Sequence, residues 1–94
     1  MENWSKILQR KWVDIIEELK HLIKVMAEAL VDSPDQVHVT ALVGEQTVVF
    51  ELKVAKDDIG KIIGKEGKNA RSLRTILLGA STKLRVRAVL EILE

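Results

Sequence analysis

Ninety-four residues, 47% hydrophobic and 31% charged, suit one domain with a modest core and little to spare. Without cysteine the chain can form neither disulfides nor thiolate metal sites, so a reducing cytoplasm is the expected compartment. The net charge of +1 hides a segregation: Lys61 to Arg87 holds eight basic residues against one acid, Glu66, whereas the remainder holds seven basic residues and thirteen acids. A segment at +7 beside a remainder at −6 points to a polyanionic partner, the plainer alternative being a solvated helix face that happens to be basic.

No apolar run approaches the ~20 residues that span a bilayer. Lys6, Arg10, Lys11 and Asp14 interrupt any leader-like stretch, and a soluble intracellular domain is expected. Residues 3–31 contain neither glycine nor proline, and Leu8, Trp12, Ile15, Leu19, Leu22, Met26 and Ala29 recur at alternating steps of four and three. That spacing predicts a helical stripe, widened by Ile16, Ile23 and Leu30 into a core-facing surface. Pro34 ends it. One long helix, or two with a bend, fits equally.

Two alternating runs follow. "VHVTALV" places Val37, Val39, Ala41 and Val43 on one face, and "TVVFELKV" places Val48, Phe50, Leu52 and Val54 on one face. The Gly44-Glu45-Gln46 link reads as a hairpin. "KDDIGKII" then fits a short helix whose first-turn acids, Asp57 and Asp58, suit the positive end of its dipole. Gly64 to Gly67 breaks it, and a second helix resumes near Lys68 with Ala70, Leu73, Leu77 and Ala80 on its buried side. The tail is ambiguous: Leu84, Val86, Ala88, Leu90 and Ile92 alternate as in a strand, but Leu84, Ala88 and Ile92 also fit a helix. With a strand there, the order is α-β-β-α-α-β.

The chemistry concentrates in "GKIIGKEGKNARSLR", Gly60 to Arg74. A helix that begins just after a glycine-bearing loop presents unpaired N–H groups and a partial positive charge, a ready anion site. Gly64 and Gly67 let a phosphodiester backbone come close to the main chain. Lys65 and Lys68 stand beside the phosphates, Arg71 follows one turn after Lys68, and Arg74 extends the row. Gly60 leaves a smooth helix surface, with Ile63 and Ala70 as aliphatic walls. Contacts of this kind position a nucleic acid without reading its sequence. A tight turn alone is the competing explanation of the glycines, although it does not require the surrounding cations.

Other phosphate loops fit poorly. Gly60-x-x-x-Gly64-Lys65 is one residue short of a Walker loop, Glu66 replaces the magnesium-binding hydroxyl, and no G-x-G-x-x-G occurs. His21 and His38 lie far apart with no catalytic motif around either, so the chain is not expected to be an enzyme and needs no cofactor or metal. With Trp4, Trp12 and Phe50 as the aromatics, an RRM-type or OB-type stacking platform is disfavoured and sequence preference should be modest.

"DIGKIIGKEGKNARSLRTIL" resembles the helix–G-x-x-G–helix core of the KH domain. From about residue 22 onward the chain is similar to small bacterial single-KH RNA-binding proteins of the KhpA type, "LVDSPDQV" and the tail "VLEILE" adding to the match. The resemblance implies an α+β, type II KH fold: a three-stranded mixed sheet packed on helices, with the tail as a strand parallel to the one before the motif. It implies a KH domain over residues 21–94 with a helical extension over residues 1–20. It also implies a clamp on about four nucleotides of single-stranded RNA, with Gly64, Lys65, Glu66 and Gly67 as the loop and Gly60, Ile63 and Ala70 in the groove. Lys68, Arg71 and Arg74 join them on electrostatic grounds. RNA chaperoning or post-transcriptional regulation, beside another RNA-binding protein, is what the family suggests.

The extension departs from the family's short first helix. Trp4, Ile7, Leu8 and Trp12 exceed what one such sheet covers, which favours a homodimer formed through this helix. A helix folded back on its own domain is the alternative. Asp14, Glu17 and Glu18 argue against a membrane-surface helix built on Trp4, Lys6, Arg10 and Lys11. Three functions therefore compete: a single-stranded RNA-binding module, a protein scaffold assembling through the N-terminal helix, and a phosphate-ligand enzyme disfavoured by the missing Walker hydroxyl.

Overall fold

A computed structural model describes the backbone of residues 4–94 and the side chains of residues 11–94. The first helix, α1 (Trp4–Leu30), runs unbroken for 27 residues, about 40 Å at 1.5 Å per residue. Its buried line is Ile16, Leu19, Ile23 and Ala27, with Trp12, Ile15, Met26 and Leu30 packed at its margins. The expected stripe is therefore displaced, since Ala29 is exposed and Ala27 takes its place. Over several turns the 3.6-residue period drifts away from a pattern of alternating threes and fours. The apolar surplus assigned to Trp4, Ile7 and Leu8 lies outside the residues whose side chains are described.

After a single turn at Pro34–Gln36, strands β1 (His38–Val43) and β2 (Thr47–Lys53) pair antiparallel, from His38 with Lys53 to Val43 with Val48. The hairpin closes through Gly44 N–H donating to the Thr47 carbonyl at 2.8 Å. Val48, Phe50 and Leu52 are completely buried, as period-2 alternation with one covered face requires. Val43 departs from expectation and is 54% exposed, standing at the hairpin end of an edge strand.

The segment expected as one short helix divides. Lys56–Asp58 makes a 3-10 turn and α2 (Ile59–Ile63) follows. Asp58 does not face solvent at the α2 dipole. It is 2% exposed and accepts the backbone N–H groups of Asp32 (3.2 Å) and Ser33 (3.1 Å), tying the end of α1 to the start of α2. Two N–H donors and the Lys61 ammonium 3.7 Å away satisfy this buried carboxylate, and such hydrogen bonds offset the cost of burying it.

Helix α3 (Lys68–Lys83) buries Leu73 and Leu77 in the core, with Ala80 partly covered and Ala70 buried nearer the helix start. Its end takes Leu84, so the tail strand β3 (Arg87–Ile92) starts later than the alternation of apolar residues suggests. It lies parallel to β2, Thr47 opposite Arg87 and Leu52 opposite Ile92, in the order β1-β2-β3. The fold is α+β, a three-stranded mixed sheet with three helices. Parallel pairing has a consequence for the site: it brings the far end of β3 to the same end of the sheet from which α2 departs.

Candidate nucleic-acid interface

The α2–α3 connection is built from three consecutive conformational demands. Gly64 ends α2 at φ 75°, ψ 172°, Glu66 sits at φ 57°, ψ 26°, and Gly67 opens α3 at φ 74°, ψ 15°. An L side chain at Gly64 would also put its Cβ 2.7 Å from Asn69 Cγ and 2.9 Å from the Asn69 backbone nitrogen. Gly64 is therefore required by the turn itself, and Gly67 is favoured there because its left-handed conformation strains other residues. The tight turn, the competing explanation of the glycines, accounts for both of them.

Asn69 is the residue that sequence reasoning missed. Its side-chain amide donates to the Lys61 carbonyl at 2.7 Å, which satisfies an orphan acceptor at the end of α2 and fixes the angle between α2 and α3. A short amide two residues beyond a glycine is a capping signal, but the partner it would choose across a turn is not written in the local pattern.

Six of the residues singled out from sequence share one open groove of about 440 Å³: Ile63, Glu66, Gly67, Ala70, Arg71 and Arg74, with Ile92 and Glu94 completing its far wall. Arg71 donates to the Glu66 carbonyl at 3.2 Å, bracing the loop tip. Arg74 reaches the Leu90 carbonyl with two long contacts of 3.4 Å. A guanidinium has five N–H donors, so each arginine keeps several for an anion. Ile92 was placed on the inward face by alternation, yet only the parallel pairing of β3 brings it to the loop.

The remaining candidates lie elsewhere. Lys68 shares a shallow depression with Arg71, Ser72 and Thr75 on the other side of α3, so the expected basic row spirals around the helix and Arg71 borders both surfaces. Lys65 is exposed at the tip, and Gly60, Gly64 and Lys65 line none of this groove. A Cβ at Gly60 would meet no atom of the described residues within 4 Å, so none of them packs against it. Lys61, counted in the basic segment, is committed: its ammonium lies 3.1 Å from Asp32, and that hydrogen-bonded ion pair raises its pKa above the ordinary lysine value. Among the described residues, no helix is long and apolar enough to cross a membrane, and no three His, Cys, Asp or Glu side chains converge to hold a metal ion.

An α-β-β-α-α-β chain with a G-x-x-G turn between its last two helices is a KH-type domain, and comparison with known proteins agrees. The family model described as "KhpA/KhpB, KH domain" matches residues 20–92, and the chain belongs to that family. It is 45% identical over 75 residues to the RNA-binding protein KhpA of Clostridium acetobutylicum, covering 80% of this chain and 100% of the relative. With the RNA-binding protein KhpA of Aquifex aeolicus it shares 51% over 76 residues, 81% of this chain and 96% of that one. Among solved structures, Aquifex aeolicus Era bound to GDP.AlF4- superposes with a TM-score of 0.57 at 19% identity. The likeness covers 79% of this chain and 29% of Era, and it concerns the fold alone.

Proposed function

We propose that the chain binds single-stranded RNA in the groove beside the Gly64–Gly67 loop, holding about four nucleotides by their backbone. The observation that carries the proposal is the convergence of Arg71, Arg74, Gly67, Ile63 and Ala70 on one open groove. Phosphates approach the Gly64–Gly67 loop at the positive end of the α3 dipole, with Lys65 and Lys68 beside them. Ile63, Ala70 and Ile92 give the bases an aliphatic floor. Glu66 and Glu94 also line the groove, and their carboxylates repel a polyanion toward the arginines. The relatives' designation as RNA-binding proteins supports the same ligand class.

No group in the groove is arranged as a nucleophile–base pair, and the role is binding: RNA chaperoning or post-transcriptional regulation in the cytoplasm. One four-nucleotide site binds weakly. A second copy joined through the N-terminal half of α1, or another RNA-binding protein, would add a linked site and raise the effective concentration.

The test is fluorescence anisotropy of a labelled single-stranded RNA at several salt concentrations, comparing wild type with Lys65→Asp/Glu66→Asp. Aspartate tolerates the left-handed conformation at position 66, so circular dichroism should show an intact fold. Wild type should lose affinity with salt at a slope of about −2 in log–log form for three neutralised phosphates. The folded double variant should not bind. Equal binding by both proteins would overturn the loop assignment and favour the scaffold.

A further inference from the structure

Glu66 and Arg85 are the non-glycine residues with positive φ among those described, and Arg85 is not accounted for by the groove. Helix α3 ends with Val86 N–H donating to the Ser81 carbonyl (2.9 Å) and Arg85 N–H donating to the Thr82 carbonyl (3.1 Å). These are the paired hydrogen bonds of a Schellman termination, whose left-handed residue is normally glycine. Here that place is held by Arg85 at φ 58°. A long side chain pays a backbone penalty at this position that glycine avoids. The local turn gives no reason for it.

The neighbours supply one. Lys83, Arg85 and Arg87 are all exposed, within five residues of one another, at the corner where α3 turns into β3. Val86 is buried and alternation continues through Leu90, so Arg87 opens β3 with its side chain on the solvent face of the sheet. The acids near this corner are Glu18, which shares a depression with Lys83, and Glu45 in the hairpin before Thr47, the register partner of Arg87. The ion pairs among the described residues engage Lys20 and Lys61 and none of these three cations. Lys83 also suits the negative end of the α3 dipole, so Arg85 and Arg87 are the informative pair.

A route joins this corner to the groove. Arg71, Arg74, Leu78 and Thr82 recur at helical spacing on one exposed face of α3, Leu78 being 63% exposed. The helix is about 24 Å long, so its far end lies beyond the reach of a four-nucleotide segment held at the loop.

From this we infer a second phosphate-binding surface, Lys83, Arg85 and Arg87, that takes the continuation of the same RNA strand after it leaves the groove along α3. The inference rests on the RNA-binding reading of the groove and extends its footprint beyond about four nucleotides. It predicts that binding depends on oligonucleotide length and that the dependence resides at this corner.

The experiment compares wild type, Lys65→Asp/Glu66→Asp and Arg85→Gly/Arg87→Gln on single-stranded RNAs of about four and about twelve nucleotides, by anisotropy against salt. Glycine suits the left-handed site, so the corner variant should melt no lower than wild type. It should bind the longer RNA roughly tenfold more weakly, with a salt slope shallower by about 1.4 for two lost phosphate contacts. Its affinity for the short RNA should equal that of wild type. Unchanged affinity and slope on the longer RNA, alongside loss of binding in the loop variant, would overturn the second surface and leave the groove standing. Failure of wild type to bind either RNA would overturn both.

Discussion

The backbone takes positive φ at both ends of α3, with different residues. At its start the chain uses Gly64 and Gly67, with φ of 75° and 74°, around Glu66 at 57°; at its end it uses Arg85 alone, with φ of 58°. A glycine in a conformation that demands glycine reports only that the turn is made. An arginine in such a conformation runs against its own backbone by about 1 kcal/mol and needs a cause outside the turn. The glycine pair that stands out in the sequence is therefore weak evidence for a ligand, and the case for RNA at the loop rests on the groove and its cations. The arginine that blends into a basic tail is the more informative residue.

The largest effect that bears on this contrast is at Gly64. Its combination of φ 75° and ψ 172° is essentially confined to glycine, and the Cβ of alanine would overlap Asn69. Gly64→Ala should lose about 3 kcal/mol in urea denaturation through backbone strain and displacement of Asn69 from the Lys61 carbonyl. Wild-type stability in this variant would break the claim that the turn alone demands the residue.

Much of this was legible in the chain. Alternation located β1 and β2, the absence of glycine and proline through residue 31 located α1, and the glycines located the turn. What escaped is what depends on partners distant in sequence. Asp58 reads locally as a first-turn acid but turns inward, because Asp32 and Ser33, 26 and 25 residues earlier, offer unpaired N–H groups. Ile92 and Glu94 reach the groove only because β3 pairs parallel to β2. Lys68 falls off the groove because a helix advances 3.6 residues per turn and steps of three do not stay on one line.

A smaller effect separates conformational need from ligand need. Gly67 is left-handed but stands in open space, so Gly67→Ala should cost about 1 kcal/mol, well short of Gly64→Ala. Because Gly67 lines the groove, RNA affinity should fall by more than the small loss of folded protein accounts for. Anisotropy on protein kept far below its melting temperature measures this. An unchanged Kd would mean that the glycine serves the turn and nothing else.

The smallest effect, with the opposite sign, is at Gly60. It lies within α2, has no conformational demand for glycine, and a Cβ there would meet no atom of the described residues within 4 Å. Alanine should therefore stabilise the fold by up to about 1 kcal/mol through helix propensity and a less flexible unfolded chain. The protein nevertheless leaves this position bare, one turn before Ile63 of the groove wall, which is the pattern expected if a ligand occupies the space. Gly60→Ala should then melt higher and bind single-stranded RNA more weakly, two readouts moving in opposite directions. If the variant melts higher and binds as wild type does, the surface of α2 lies outside the RNA path, and the strand follows the α3 side of the groove alone.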